Sequence, residues 1–258
     1  MKALAVAVLV LVVLAGLAAP VLAPYAYDRQ FREVTTTEPQ PGHLMGLDDV
    51  GRDRFSRLLY ATRISVVLAP AAALVSVLLA LLIAPLASWP SRLLTSVFLS
   101  LPWIFLFMIL RAKLPLNTSP EVSVVLTFGL MGLSGWAFPS RVFSAAVREM
   151  HQAGWLLQAR AAGVRPVRIA VAHAGPHLLS LALAQFRVLV PAYILSEASL
   201  GLLGLGVPDP LPSWGNLLRD LQHPDAVQAN PWILAPLGLL VVAMICLEVL
   251  DTSRKAAI

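Results

Sequence analysis

Met150–Pro176, MHQAGWLLQARAAGVRPVRIAVAHAGP, is the one long polar interruption in an otherwise apolar second half of the chain. Most of what lies before and after it is long and apolar enough to cross a bilayer, so its reading decides the rest. It reads as helix, turn, helix. Trp155 to Ala162 consists of good helix formers. Gly163 ends that helix, because glycine takes a left-handed conformation without steric cost. Pro166 fits the first turn of a second helix, where its missing N–H is not needed. Gly175-Pro176 is expected to stop the second helix before the next apolar span.

Charge places this stretch. Between Arg141 and Pro176 stand Arg141, Arg148, Arg160, Arg165 and Arg168, against one acid, Glu149. A short loop so rich in arginine, between two spans, is held on the cytoplasmic side. The arginines have two readings that composition leaves even. They fix topology, or they form a docking element for a cytoplasmic partner.

Composition sets the class. The chain has 258 residues, 58% hydrophobic and 13% charged, with a mean hydropathy of +0.78. A soluble domain rarely exceeds about half apolar residues. This is an all-α integral membrane protein, not a soluble enzyme with an anchor. The net charge of +5 belongs to loops at membrane surfaces, so lipid and not nucleic acid is the implied contact. The single cysteine, Cys246, supports neither an internal disulfide nor a cysteine-based metal site.

Three stretches carry a resemblance. Ala159-Arg160-Ala161-Ala162-Gly163, followed by Arg168-Ile169, His173 and Pro176, resembles the "EAA" loop of ABC importer permeases. The likeness is to the dipeptide/oligopeptide/nickel family, in its C-type subunit. There the loop, here residues 142–176, forms the helix that seats on the ATPase subunit. One departure is Leu157, where that family usually has Glu. The second stretch is His43 to Ser65, HLMGLDDVGRDRFSRLLYATRIS. It looks like the segment that opens the membrane core of the same permeases, with Gly46, Asp48, Gly51, Arg52, Asp53, Ser56, Arg57, Arg63 and Ser65 matching. Asp53 can also cap a helix whose Phe55, Leu58 and Leu59 share one face, and such a helix can lie at the membrane interface. The third stretch is Leu195 to Leu218, LSEASLGLLGLGVPDPLPSWGNLL, similar to a glycine- and proline-rich motif of that family. Its Gly201, Gly204 and Gly206 permit close helix approach. Its Pro208, Pro210 and Pro212 force an extended outer loop, and Trp214 suits the interface.

Six spans follow from the apolar runs. Ala3 to Ala23 gives 21 uncharged residues, and about 20 helical residues cross the hydrocarbon core. We read residues 1–24 as an uncleaved N-terminal helix and 25–63 as an extracytoplasmic segment with an interfacial helix. Residues 64–258 then form a five-helix core. Its spans are Ile64–Trp89, Leu93–Leu110, Val122 to about Ala137 with a kink at Pro139, His177–Val207, and Trp232–Leu250. The fifth carries Gln185, Arg187 and Glu197. A charge in mid-membrane costs about 2.5–3.5 kcal/mol on insertion scales, so such groups face protein or water. Arg187 and Glu197 are ten residues apart, too far to pair on one helix. They are the candidate pathway or gate residues, and for Glu197 a structural role stands equally open.

The sequence carries weaker signals for other chemistries. Gly132-Leu-Ser-Gly135 matches the GxSG of rhomboid intramembrane proteases, but a serine nucleophile needs a histidine within reach. The five histidines, His43, His151, His173, His177 and His223, all fall in loops or at helix ends. No H-E-x-x-H or P-loop appears. The lysines are Lys2, Lys113 and Lys255, and none follows a glycine. ATP, if used, is used by another polypeptide.

The resemblance therefore implies a type I ABC importer permease fold of six transmembrane helices with both termini cytoplasmic, in a bacterial or archaeal inner membrane. It implies half of a translocation pathway for peptides or similar solutes, with no cofactor or metal of its own. The implied partners are a second related permease subunit, two ATPase subunits and an extracytoplasmic solute-binding protein. The competing reading is a stand-alone secondary transporter or channel. The remote one is the protease.

Overall fold

The computed structural model describes residues 2–33, 38–86, 89–102, 105–106, 108–109, 113 and 119–255. Helices dominate, and among the described residues β-pairing is limited to three isolated bridges between residues 30 and 53. The helices are α1 (Lys2–Leu17), α2 (Ala19–Leu22), α3 (Arg54–Ile83), α4 (Trp89–Ser100), α5 (Pro120–Ser134) and α6 (Ala137–Gln152). There follow α7 (Gly154–Ala161), α8 (Pro166–Ile169), α9 (Gly175–Leu202), α10 (Trp214–Leu217), α11 (Pro224–Ala229) and α12 (Ala235–Lys255). Among the described residues, four stretches are long and apolar enough to cross a membrane: Arg54–Ile83, Pro120–Gln152, Gly175–Leu202 and Pro231–Asp251. Lys2–Leu17 is a shorter apolar helix.

Prolines place the breaks, each by removing the N–H that would bond the carbonyl four residues earlier. Pro20 leaves the Gly16 carbonyl without its partner, and the first apolar run divides at Ala18 into α1 and α2. The kink expected at Pro139 falls at Gly135–Trp136, because Gly135 is the carbonyl that Pro139 cannot serve. Pro139 itself sits in the first turn of α6. The helix expected to end at Gly175-Pro176 does not end there. Ala170–Ala174 form one turn of π-helix, and α9 continues directly from Gly175. The wider turn accommodates the proline without ending the helix.

The helix after Asp53 differs likewise from the expectation. It is not a separate interfacial element but the first turns of the 30-residue α3. The third expected span is described as α4, which stops at Ser100. Positions 103, 104, 107, 110–112 and 114–118, on which the rest of that span and the outer turn were placed, lie outside the described residues.

The chain forms two compact units. One comprises Met1–Ala69, Phe107–Phe128 and Pro191–Ile258. In it α1 packs along α12, burying Ala5, Val12 and Gly16. Gly16 meets the main chain of Arg63, where a Cβ would stand 3.0 Å from the Arg63 nitrogen. The other unit comprises Pro70–Leu106 and Gly129–Val190. There Ser76 Oγ donates to the Gly132 carbonyl at 2.6 Å, and a Cβ on Gly132 would press the Ala72 carbonyl at 3.1 Å. Gly132 is thus a packing residue. Phe143 is fully buried on α6, Arg141 donates to Ser96 Oγ at 3.1 Å, and Phe98 rests on Trp136 with ring centres 5.1 Å apart.

Candidate functional site

Two constellations hold the residues singled out from sequence, one in each unit. The first is the hairpin. α7 ends at Ala161, and Gly163 follows with φ +72°. The Val164 N–H reaches back to the Ala159 carbonyl at 3.0 Å, the long-range bond of a Schellman cap. Among the described residues nothing stands within 4 Å of a Cβ placed on Gly163, so the backbone conformation is what demands glycine there. Pro166 opens α8 as its first residue. Both turn residues do what their chemistry predicts.

The hairpin has an inner and an outer face. Leu156 and Ile169 are buried. Ala161, Ala162, Gly163, Arg165 and Arg168 are exposed, as are Val167 and Val171. An exposed surface mixing valines with arginines is unusual for a solvated loop and fits a contact surface. Behind it lies a cleft of about 450 Å³ lined by Glu149, Met150, Trp155, Ala172, Pro176 and His177, among others. The side chains of Leu157, Arg160 and His173 lie outside the described residues.

The second constellation joins His43–Ser65 to Leu195–Leu218. Asp53 caps α3 as its sequence position predicts. Its Oδ2 accepts from the Ser56 N–H at 2.7 Å, and its Oδ1 meets His43 Nδ1 at 2.9 Å. Ser56 Oγ in turn accepts from the Tyr25 N–H. Gly46 and Gly51 have φ of +72° and +80°, which lets the chain turn tightly around Asp48. Asp48 Oδ1 accepts the N–H groups of Val50 and Arg52, and its Oδ2 takes Arg52 Nε at 2.7 Å.

Arg52 and Arg57 then reach the far end of the sequence. Arg52 Nη1 donates to Asp209 Oδ1 at 2.9 Å, and Arg57 Nη2 donates to the same oxygen at 3.1 Å. Arg54 pairs with Asp220. Partial burial acts to raise the pKa of Asp209. The Arg57 and Arg52 guanidiniums outweigh it and hold the carboxyl below the ordinary aspartate value. Of the sequence-matched residues here, Arg63 alone is exposed and outside the cluster.

The third motif folds back on itself. Gly204, with φ +78°, closes a Schellman cap on α9, in which Leu205 N–H bonds the Leu200 carbonyl at 2.8 Å. It is a cap, not the close-approach residue it was expected to be. Gly201 and Gly206 are the close-approach residues. A Cβ on Gly201 would stand 2.2 Å from the Gly215 carbonyl carbon, and one on Gly206 would stand 2.7 Å from Gly201. Ser213 and Asn216 form a reciprocal capping box at the start of α10. Glu197 is buried at the centre. Its Oε2 accepts from the Gly215 N–H at 3.3 Å, while Oε1 has no partner among the described residues. Arg187 is half-buried in the other unit. Trp214, expected at the interface, is fully buried, because its indole N–H has a partner inside: Thr62 Oγ1.

Asp209, Asp220, Trp214 and Thr62 are the residues sequence reasoning passed over as site members. The signal for them was spacing. Ser213-Trp-Gly-Asn216 has the shape of a capping box, and a box predicts a folded loop where prolines alone predict an extended one. Ser134, the candidate nucleophile, donates to the Leu130 carbonyl at 2.6 Å on its own helix.

Long apolar helices, a packed polar seam between two distant motifs, and an exposed helical hairpin define a multi-helix membrane protein with a contact surface between its spans. Residues 72–252 match the family described as binding-protein-dependent transport system inner membrane component. The oligopeptide transport system permease protein OppC of Escherichia coli K12 is 30% identical over 97% of this chain and 84% of its own length. OppC of Bacillus subtilis is 25% identical over 97% and 82%. The di/tripeptide transport system permease protein DppC of Pseudomonas aeruginosa is 28% identical over 91% and 79%. The chain belongs to this family of ABC importer permeases. It is a multi-pass inner-membrane component and not itself an enzyme, and ATPase and binding-protein partners come with the family. That membership replaces both the stand-alone transporter and the protease.

Proposed function

We propose that this chain is half of the translocation pathway of an importer for peptides or similar small solutes, paired with a second, related permease subunit. It spans the membrane six times with both termini in the cytoplasm. Two ATPase subunits bind and hydrolyse ATP on the cytoplasmic side, and a solute-binding protein delivers cargo on the other. The peptide assignment rests on relatives whose names specify oligopeptides, dipeptides and di/tripeptides.

The hairpin Gly154–Ala174 is the observation that supports this reading. Ala161, Ala162, Gly163, Arg165 and Arg168 stand outward on a rigidly capped turn between α6 and α9. α8 passes through the π-turn into α9 without a break in the helix. A push on the hairpin therefore enters a helix that runs on to Leu202. Coupling requires such a packed connection with two arrangements. Arg187 and Glu197 lie on that same helix, which supports a pathway or gate role for them.

Cysteine labelling tests it. Ala161→Cys should react with a membrane-impermeant maleimide only from the cytoplasmic side, and the importer's ATPase should co-purify and protect the thiol. Labelling from outside overturns the orientation. Absence of any co-purifying ATPase overturns the assigned role.

A further inference from the structure

The tip of the loop after α9 is held by charge. On either side of it Val207, Pro212, Ser213 and Trp214 are fully buried, and Asn216 Nδ2 ties the Leu211 carbonyl at 2.6 Å. Between these anchors the Asp209 side chain is 51% exposed, yet its two arginine partners are 13% and 4% exposed. One carboxylate oxygen, Asp209 Oδ1, receives both guanidiniums, and Arg57 Nη1 also donates to the Pro210 carbonyl at 3.2 Å. Arg57 Nε has no hydrogen-bond partner among the described residues. Its nearest carboxylate oxygen, Asp48 Oδ2, stands 3.6 Å away. Without Asp209, the buried Arg57 and the part-buried Arg52 would share the Asp48 carboxylate, with the Tyr27 and Pro210 carbonyls as the other acceptors of Arg57. Two arginines fixed by the fold and satisfied by a carboxylate on an exposed loop tip have the layout of a carboxylate-binding site with an internal occupant.

We propose that Arg52 and Arg57 form a docking site for an acidic side chain of the solute-binding protein, and that Asp209 fills this site until the incoming carboxylate replaces it. The inference rests on the importer reading above. A protein surface is the occupant the surroundings favour. Arg29 and Arg32 are exposed on either side of Gln30, which bridges to Arg52. The site is thus covered by a loop tip and flanked by outward arginines beside the exposed acids Asp28, Glu33 and Asp49, a face of both charges that a polar protein surface can meet. Exchange of one carboxylate for another keeps the buried guanidiniums paired throughout, which avoids the large penalty of stranding them. Asp209 is ionised at neutral pH, as its replacement would be.

The test uses the intact importer in lipid nanodiscs and its own cargo-loaded solute-binding protein as the probe. Asp209→Asn keeps the shape of the tip and loosens its hold on the arginines. Binding should tighten about threefold to tenfold, because the site no longer competes with an internal ligand. Arg52→Gln should weaken binding about tenfold, and the double variant should follow Arg52→Gln. In the wild type, hydrogen exchange over residues 205–212 should rise when the binding protein docks. That last measurement needs no variant to fold. Unchanged exchange there overturns the exchange of carboxylates, as does an Asp209→Asn importer that binds no tighter than wild type. A wild-type importer that binds no solute-binding protein sinks the importer reading itself, a different and separable result.

Discussion

Trp214 and Thr62 are 152 residues apart in sequence, and the Trp214 indole N–H donates to Thr62 Oγ1 at 3.1 Å in the buried interior. The Thr62 hydroxyl in turn donates to the Leu58 carbonyl at 2.8 Å. The bond ties the loop after α9 to the third turn of α3. Together with the Arg57–Asp209 and Arg54–Asp220 pairs, it makes one seam of two motifs that the sequence keeps far apart.

This seam is a stability element first. Thr62→Val keeps the volume and leaves the buried indole N–H unsatisfied, which costs about 1–3 kcal/mol. Trp214→Phe removes the donor along with part of the ring, so its loss is mainly packing. Trp214→Ala opens a cavity and costs about 3–5 kcal/mol. Thermal unfolding of the detergent-solubilised protein should rank them with Trp214→Ala lowest. Equal melting of Thr62→Val and wild type would show that the bond contributes nothing.

The glycine contacts give a paired prediction. Gly215→Ala would place a methyl 2.5 Å from the Glu197 carbonyl oxygen, and Gly201→Ala would place one 2.2 Å from Gly215. Neither neighbour is a flexible chain end, so backbone must shift, and overpacking of this kind costs about 1–3 kcal/mol or more. Gly238 in α12 is the control, since nothing lies within 4 Å of its added Cβ. Gly238→Ala should be neutral or stabilise by about 0.5–1 kcal/mol through helix propensity. Folded yield after membrane extraction separates the two classes.

Much of this was readable from residue chemistry. Gly163, Pro166 and Asp53 stand at positions where a left-handed turn, a helix start and an N-cap each call for that residue type, and the structure puts each to that use. What eluded the sequence was relational. A proline announces a lost N–H, but not whether the chain answers with a break, as at Ala18, or with a π-turn, as at Ala170–Ala174. An apolar run after Asp53 does not say whether its helix stops at the interface or runs on for 30 residues. Trp214 shows the same limit from the other side. A tryptophan beside three prolines suits an interface until a threonine 152 positions away offers its hydroxyl.

Acid should weaken the seam in a defined direction. The Asp209 carboxyl lies below the ordinary aspartate pKa because Arg57 and Arg52 outweigh the effect of burial. Its stabilising contribution is therefore fully present above the ordinary value near ~3.9 and is lost as pH falls through the depressed folded value. Wild type should melt higher than Asp209→Asn at pH 7, and the gap should begin to narrow as the pH falls below the ordinary aspartate value and close once it is below the depressed folded value. A gap that stays constant with pH would mean that the carboxylate's charge is not what holds the tip.

Gly163 separates folding from coupling. Its φ of +72° is a conformation that a β-branched residue resists, at a cost of about 1–2 kcal/mol. No atom crowds the position, so Gly163→Val strains the turn without disturbing any packed neighbour. Membrane insertion depends on the apolar helices and should be unchanged. In the coupling role proposed for the hairpin, docking depends on the turn that sets Ala161, Ala162 and Arg165 outward, so ATP hydrolysis stimulated by cargo-loaded binding protein should fall severalfold. Asn enters the left-handed region more readily than other side-chain-bearing residues, so Gly163→Asn should recover most of the stimulation while adding a comparable side chain. Gly154→Ala supplies the local control. It sits at the start of α7 with nothing within 4 Å of its Cβ and no left-handed backbone to strain. A Gly163→Val importer with full stimulation would remove the hairpin from the coupling route. Equal loss in Gly163→Val and Gly163→Asn would assign the defect to the side chain and not to the turn.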